Sequence, residues 1–231
     1  MINGNMTIAK ILNPDTTYDP IKDLTPVSLI AVAPLVLSVP ATVAESGAAY
    51  IAAARASGDK WNYGTPGVGT VAHLGMELLK SRAGIAPVHV PYPGNPQVIT
   101  AMLGGQVQMS LLPPGLAMPQ VRAGKLKAIG VTSTGRSSLV PDVPSLTEAG
   151  VRDFQLEIWN AVAAPNSLPK AHVNRLATLL TEIVRREDIR QKIFGQGWQV
   201  AGTGPEGLAR RIKSDTAAMA EVIQRNNIRP G

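Results

Sequence analysis

Trp61-Asn62-Tyr63-Gly64-Thr65-Pro66-Gly67-Val68-Gly69-Thr70-Val71-Ala72-His73 joins a strand-like lead-in to an amphipathic run through a loop with almost no side-chain bulk. From Val71 onward Val71, Leu74, Gly75, Leu78 and Leu79 recur at the helical interval, and Lys80 and Arg82 precede the stop at Gly84. Cations at that end suit the helix macrodipole. At the other end the first N–H groups have no intrahelical partner. Beside two threonine hydroxyls they make a site for a carboxylate or phosphate. The loop nearly spells a phosphate-binding P-loop from Gly64 to Gly69, but Thr70 and Val71 stand where lysine and a hydroxyl residue must follow. Without that cation and magnesium ligand, a nucleoside triphosphatase is disfavoured. A small-anion site and a tight turn with no ligand both remain open from the loop alone.

The same β-loop-α pattern recurs outward from this stretch. Val88 to Val90 leads into Pro91-Tyr92-Pro93-Gly94-Asn95-Pro96 and a helix from Gln97 to Leu103. Val107 to Leu112 leads into Pro113-Pro114-Gly115 and a helix from Leu116 to Arg122, and Leu126 to Thr132 is a further strand. Short β-α repeats imply a largely parallel sheet flanked by helices, with all three Gly/Pro loops on one edge. Upstream, Met1-Ile2 reads as the tail of a strand, Asn3-Gly4-Asn5 as a turn and Met6 to Leu12 as a short helix. Val27 to Val39 reads as a long strand interrupted near Pro34, and Thr42 to Ser57 as a helix. Downstream, Phe154 to Ala164 is a second long strand. A helix follows from Leu168, with Val173, Leu176, Leu179, Leu180 and Ile183 as its expected buried stripe. Glu187 to Phe194 is helical, Trp198 to Val200 is a strand, and Thr203-Gly204-Pro205-Glu206 is expected to cap a last helix reaching Ile228.

A chain of 231 residues has room for one large or two small domains, and 45% hydrophobic residues exclude global disorder. Aromatics at 4% argue against base-stacking platforms, and the net charge of +6 is scattered rather than gathered into a nucleic-acid footprint. The absence of cysteine removes thiol chemistry and disulfides. His73, His89 and His172 lie far apart with no metal-ligand spacing, so neither a metal nor a cofactor is expected. The most apolar run, Val27 to Val39, is broken by Pro34 and carries two serines, too short to span a bilayer. Met1 to Asn5 has neither the basic region nor the apolar core of a secretory signal.

Taken in order, GTPGVGT, AHLGMELLK, PVHVPYPGNPQVITAMLGGQV, RAGKLKAIGVTSTGRSSLVPDVPSLTEAG and WNAVAAPNSLP closely resemble the substrate-binding proteins of tripartite tricarboxylate transporters, the Bug family. The resemblance covers essentially the whole chain. It implies a two-lobe α/β fold like type II periplasmic binding proteins, each lobe a mixed sheet flanked by helices, joined by two crossing strands. The expected lobes are residues 1–34 with 158–231, and residues 35–157. The implied function is capture of a small organic carboxylate between the lobes and delivery to membrane permease subunits, with no enzyme activity and no nucleic acid. Family members start with a signal peptide and a first β-α unit. Met1-Ile2-Asn3-Gly4-Asn5 matches a point well inside them, so the first lobe is expected to be incomplete and prone to self-association. The family is periplasmic; Met1 as a true start implies the cytoplasm instead.

Carboxylate contacts are expected first from Thr65, Gly67, Val68, Gly69 and Thr70, through N–H and hydroxyl groups, and then from Tyr92 and Asn95. Asn3 and Asn5 match the family's second loop in the other lobe. Trp159, on a crossing strand, faces the ligand or serves the core. His73 is read as structural. The competing class is a small hydrolase or transferase using Ser110 or a threonine with His73, and no recognisable nucleophile frame supports it.

Overall fold

The computed structural model describes residues 1–43 and 45–229. The chain divides into two compact units, Met1–Ala33 with Ile158–Gly231, and Pro34–Glu157. It passes between them twice, at the end of strand β2 (Leu24–Pro34) and the start of strand β8 (Glu157–Pro165).

In the continuous unit the β-loop-α pattern forms as its residues direct. Strand β3 (Val36–Pro40) follows β2 after a break at Leu35, and α2 spans Gly47–Ser57. The expected helix start at Thr42 lies five residues too early, and Ala44 falls outside the described residues. Strand β4 (Asn62–Thr65) then enters α3 (Val71–Ala83), and β5 (Val88–Pro91) enters α4 (Asn95–Leu103). Strand β6 (Ser110–Leu112) enters α5 (Pro114–Arg122), followed by β7 (Leu126–Val131). Strands β4 and β5 pair in parallel, while β3 runs antiparallel between β6 and β7. A parallel bridge between Tyr63 and Met109 places β4 beside β6. The strand sequence across the unit is therefore β5-β4-β6-β3-β7, with β3 alone reversed. The loops after β4, β5 and β6 share one edge, as expected from the repeats. The sheet is mixed, as the family resemblance implies.

Helix α3 is the unit's central packing element. Leu74, Met76 and Leu79 are fully buried, each contributing about 1.5–3 kcal/mol by leaving water. The helix approaches the core so closely that a Cβ on Gly75 would sit 2.4 Å from Leu156 Cδ2 and 2.9 Å from Leu111 Cδ1. Gly75→Val is expected to cost about 1–3 kcal/mol by overpacking two buried leucines at once. Urea unfolding of the variant measures this; stability equal to the parent refutes the close-packing argument.

The discontinuous unit opens with β1 (Ile2–Asn3) running straight into α1 (Gly4–Leu12). Its sheet has the order β1-β8-β2-β9, where β9 is Gln199–Thr203. Helices α6 (Lys170–Arg185), α7 (Glu187–Gly195) and α8 (Pro205–Arg225) complete it. Two details depart from expectation. On α6 the buried residues are Val173, Ala177 and Val184, whereas Leu176, Leu179 and Ile183 are 41%, 42% and 45% exposed. At α8 the N-cap is Gly204 with no side-chain cap bond, and the Thr203 hydroxyl is buried without a partner, so no capping box forms.

Candidate functional site

The N-termini of α3, α4 and α5 meet the shared loop edge, and their residues decide which of them can hold an anion. Helix α5 begins at Pro113-Pro114, two residues with no N–H to offer. Helix α4 carries Pro96 in its first turn. Helix α3 starts with Val71, Ala72 and His73 behind a glycine-rich loop, and of the three it alone has no proline at its start.

That loop is tightly organised. The Gly67 carbonyl accepts from the Thr70 hydroxyl at 2.9 Å, from the Thr70 N–H at 3.4 Å and from the Thr65 hydroxyl at 3.2 Å. A trans peptide sets N–H and C=O in opposite directions. With the Gly67 carbonyl drawn to these donors, the Val68 N–H of the same peptide points away from them. Neither Gly67 N–H nor Val68 N–H has a hydrogen-bond partner among the described residues. Gly67 and Gly69 take φ of +137° and +75°, backbone that side-chain-bearing residues rarely adopt. Thr70 caps the helix by accepting the His73 N–H at 3.3 Å.

Other donors expected to meet a ligand are already used. Gly69 N–H donates to His73 Nδ1 at 3.0 Å. The Thr65 side chain is fully buried, 2.6 Å from His89 Nε2. Tyr92 is half-buried against the core beneath β5, its N–H donating to the Thr65 carbonyl at 2.9 Å. Asn95 opens α4, and its Oδ1 is buried with no partner. The continuous unit therefore brings Thr65, Gly67, Val68, Gly69 and Thr70 together in one loop, with Tyr92 hydrogen-bonded to its first residue.

Behind the loop lies a stack that sequence reasoning missed. His73 and His89 rings lie 4.0 Å apart at 13°, and Tyr63 stacks on His89 at 4.9 Å. The Tyr63 hydroxyl donates to Glu77, which also accepts from Lys80 Nζ at 2.8 Å. The parallel register that sets Tyr63 opposite His89 was the only signal for it, and that register is invisible in the sequence. Burial holds His73 below the usual imidazole value, with Glu77 opposing and Lys80 reinforcing the shift. Burial, then the neighbouring His73, pushes His89 down to about 4.

Both histidines are thus neutral in the folded unit and protonate more readily once unfolded, near 6.5. The stability they contribute is complete above that value and is lost as the pH falls toward 4. Allowing for solvent at the half-buried His89, the loss is expected to be about 2 kcal/mol. Denaturant unfolding at pH 7.5 and 4.5 reads it, and His89→Gln should flatten the dependence. A dependence unchanged in that variant contradicts the assignment.

In the discontinuous unit the expected residues have other duties. Asn3 caps α1, its side chain accepting the Met6 N–H at 3.2 Å, and lies opposite Asn160. Asn5 is exposed in the first turn. Trp159 is 2% exposed in the core formed by Ile2, Leu29, Ala161, Leu208 and Ile212, and its Nε1 donates to Asp215 at 2.8 Å. This unit also has a recess of about 500 Å³ lined by Ile2, Leu24, Ala163, Ala209, Ile212 and others, almost wholly apolar and unsuited to a carboxylate. Among the described residues no cluster of three His, Asp or Glu side chains is placed to hold a metal ion.

Three comparisons bear on this arrangement. A model for receptors of the tripartite tricarboxylate transporter family matches residues 2–228. A Pseudomonas sp. (strain P51) protein from the tcbD-tcbE intergenic region is 31% identical over 226 residues, covering 96% of this chain and 67% of that one. An R. palustris protein solved with adipate superposes with a TM-score of 0.91 at 27% identity, covering all of this chain and 78% of its own. MatC from Rhodopseudomonas palustris with bound malate gives a TM-score of 0.83 at 26% identity, covering 96% and 77%. The chain spans 67%, 53% and 68% of the length of three of the curated relatives it matches.

Proposed function

The chain belongs to the tripartite tricarboxylate transporter receptor family, and from that we propose that it captures a small organic carboxylate and presents it to the membrane subunits of a tripartite transporter. The observation that carries the reading is the pair of unpartnered N–H groups, Gly67 and Val68, at the start of a 13-residue helix. A carboxylate there meets backbone donors and the positive end of the dipole, in a loop with no bulky side chain. No lysine or arginine lies in any of the three loops, and the nearby Lys80 is engaged by Glu77. Capture by backbone dipoles rather than by a cation follows. Thr65 and Thr70 act by shaping the loop, because their hydroxyls donate to its own carbonyl. By the same family reading the protein works in the periplasm, without a cofactor.

The competing hydrolase reading finds little support. Ser110 is fully buried with an unpartnered hydroxyl, and His73 Nδ1 is occupied by Gly69 N–H. Thermal unfolding and calorimetry with adipate, malate, acetate and their methyl esters separate the two classes. A binding protein gains about 2.7 kcal/mol at a hundredfold excess of free acid over Kd and leaves the esters intact. Ester turnover without stabilisation by any acid overturns the proposal.

A further inference from the structure

Gly69 N–H is a backbone donor of the loop turned into the protein, and its acceptor is a titratable ring. His73 is 5% exposed, and its Nδ1 accepts that N–H at 3.0 Å while its own N–H is held by Thr70. The two bonds clamp the loop to the first turn of α3 from both sides. An imidazole accepts at Nδ1 only while that nitrogen carries no proton. The groups facing the ring are His89 from β5, Tyr63 from β4, and Glu77 and Lys80 from α3 itself. Strand β6, also packed on α3, brings only Ser110, Leu111 and Leu112. Glu77 is already bound by Tyr63 and Lys80, which leaves it little capacity to stabilise a second cation at His73.

We propose that His73 is a positioning residue for carboxylate capture: neutral, it locks the Val68–Gly69 peptide and thereby fixes the loop's free donors; protonated, it opposes Gly69 N–H with a second donor and releases them. This rests on the loop being the carboxylate cradle. The lock pre-organises the loop, and losing it adds an ordering cost to binding. Acid therefore weakens capture through this side chain, below the ordinary imidazole range, since burial lowers its protonation point.

The test uses the full chain as wild type, His73→Asn and His73→Leu, with adipate and malate as probes. Asparagine places an oxygen near the position of Nδ1 and does not titrate. Calorimetry is expected to show His73→Asn binding within about threefold of wild type at pH 7.5, and His73→Leu weaker by roughly tenfold. Between pH 7.5 and 5 wild type is expected to lose severalfold more affinity than His73→Asn, short of the tenfold cost of removing the lock outright because burial lowers the protonation point, and the loss they share belongs to the acids themselves. Equal acid losses in the two, or full-strength binding by His73→Leu, overturn the proposal. Amide exchange at Gly69 gives a reading without any acid: protected in wild type and His73→Asn, fast in His73→Leu, and released by acid only in wild type. If neither acid binds wild type while exchange follows this pattern, the cradle reading fails and the lock stands. If Gly69 exchange ignores His73, the lock itself is refuted.

Discussion

Gly69→Val is expected to weaken carboxylate binding by about ten- to a hundredfold and to cost about 2–4 kcal/mol of stability. At φ +75° a β-branched residue is strained by roughly 1–3 kcal/mol. Relaxing to negative φ breaks the 3.0 Å bond to His73, a net loss of about 1 kcal/mol, and swings the adjoining Val68 peptide. One charge-assisted N–H bond to a carboxylate is worth roughly 1.5–3 kcal/mol, which sets the loss in affinity. A glycine needed only for close approach to a ligand would lose binding far more than stability on this substitution. The buried bond to His73 makes both suffer. Gly69→Asn should recover much of the stability, since asparagine tolerates the left-handed region. Calorimetry with adipate and malate, beside urea unfolding, checks both quantities. A valine variant as stable as the parent removes the strain argument.

Trp159→Ala is expected to destabilise the discontinuous unit by about 3–5 kcal/mol, the largest effect of any single change proposed for this chain. The indole fills the core between Ile2, Leu29 and Ile212, and its loss leaves a cavity that β8 and α8 cannot close without moving. It also strips a donor from Asp215, which retains Arg211 Nε at 2.7 Å. Trp159→Phe separates the two contributions by keeping most of the volume and deleting the N–H. It should cost about 1–3 kcal/mol. If Trp159 instead touched the ligand, Trp159→Phe would weaken binding at unchanged stability. Paired unfolding and calorimetry on that variant distinguish the roles.

The features legible in the sequence are those encoded locally. The Gly64 to Thr70 loop announced a strand-to-helix turn because glycine, proline and threonine restrict the backbone by themselves, and α3 and its stop at Gly84 followed from spacing alone. The common edge of three loops followed from repetition of one supersecondary unit. Helix α6 was misread for a different reason. Its apolar residues, Val173, Leu176, Ala177, Leu179, Leu180, Ile183 and Val184, cover an arc wider than its contact. Periodicity defines the arc, and only tertiary packing selects the part that is covered. The His73–His89 stack was unreadable on similar grounds, since the 15 intervening positions carry no trace of a parallel register. In the loop, the sequence identified the donors but not their direction. Which N–H turns inward depends on a ring nitrogen four residues away.

The interrupted course of the first unit has a consequence for synthesis. Ile2 pairs with Ala161 and Leu29 with Thr203, so this sheet cannot assemble until the ribosome has delivered the last third of the chain. The segment from Pro34 to Glu157 is contiguous and can complete its own contacts as soon as it emerges. Leu-Thr-Pro-Val-Ser-Leu-Ile-Ala-Val-Ala-Pro, the future β2, must meanwhile wait without its neighbours, an apolar strand exposed to other nascent chains. Bringing the ends together early, across about 160 residues, costs on the order of 4–5 kcal/mol in chain entropy. A finished middle segment shortens that span and lowers the barrier. In refolding from denaturant the contiguous segment is therefore expected to recover its native signal before the sheet that joins the two ends of the chain.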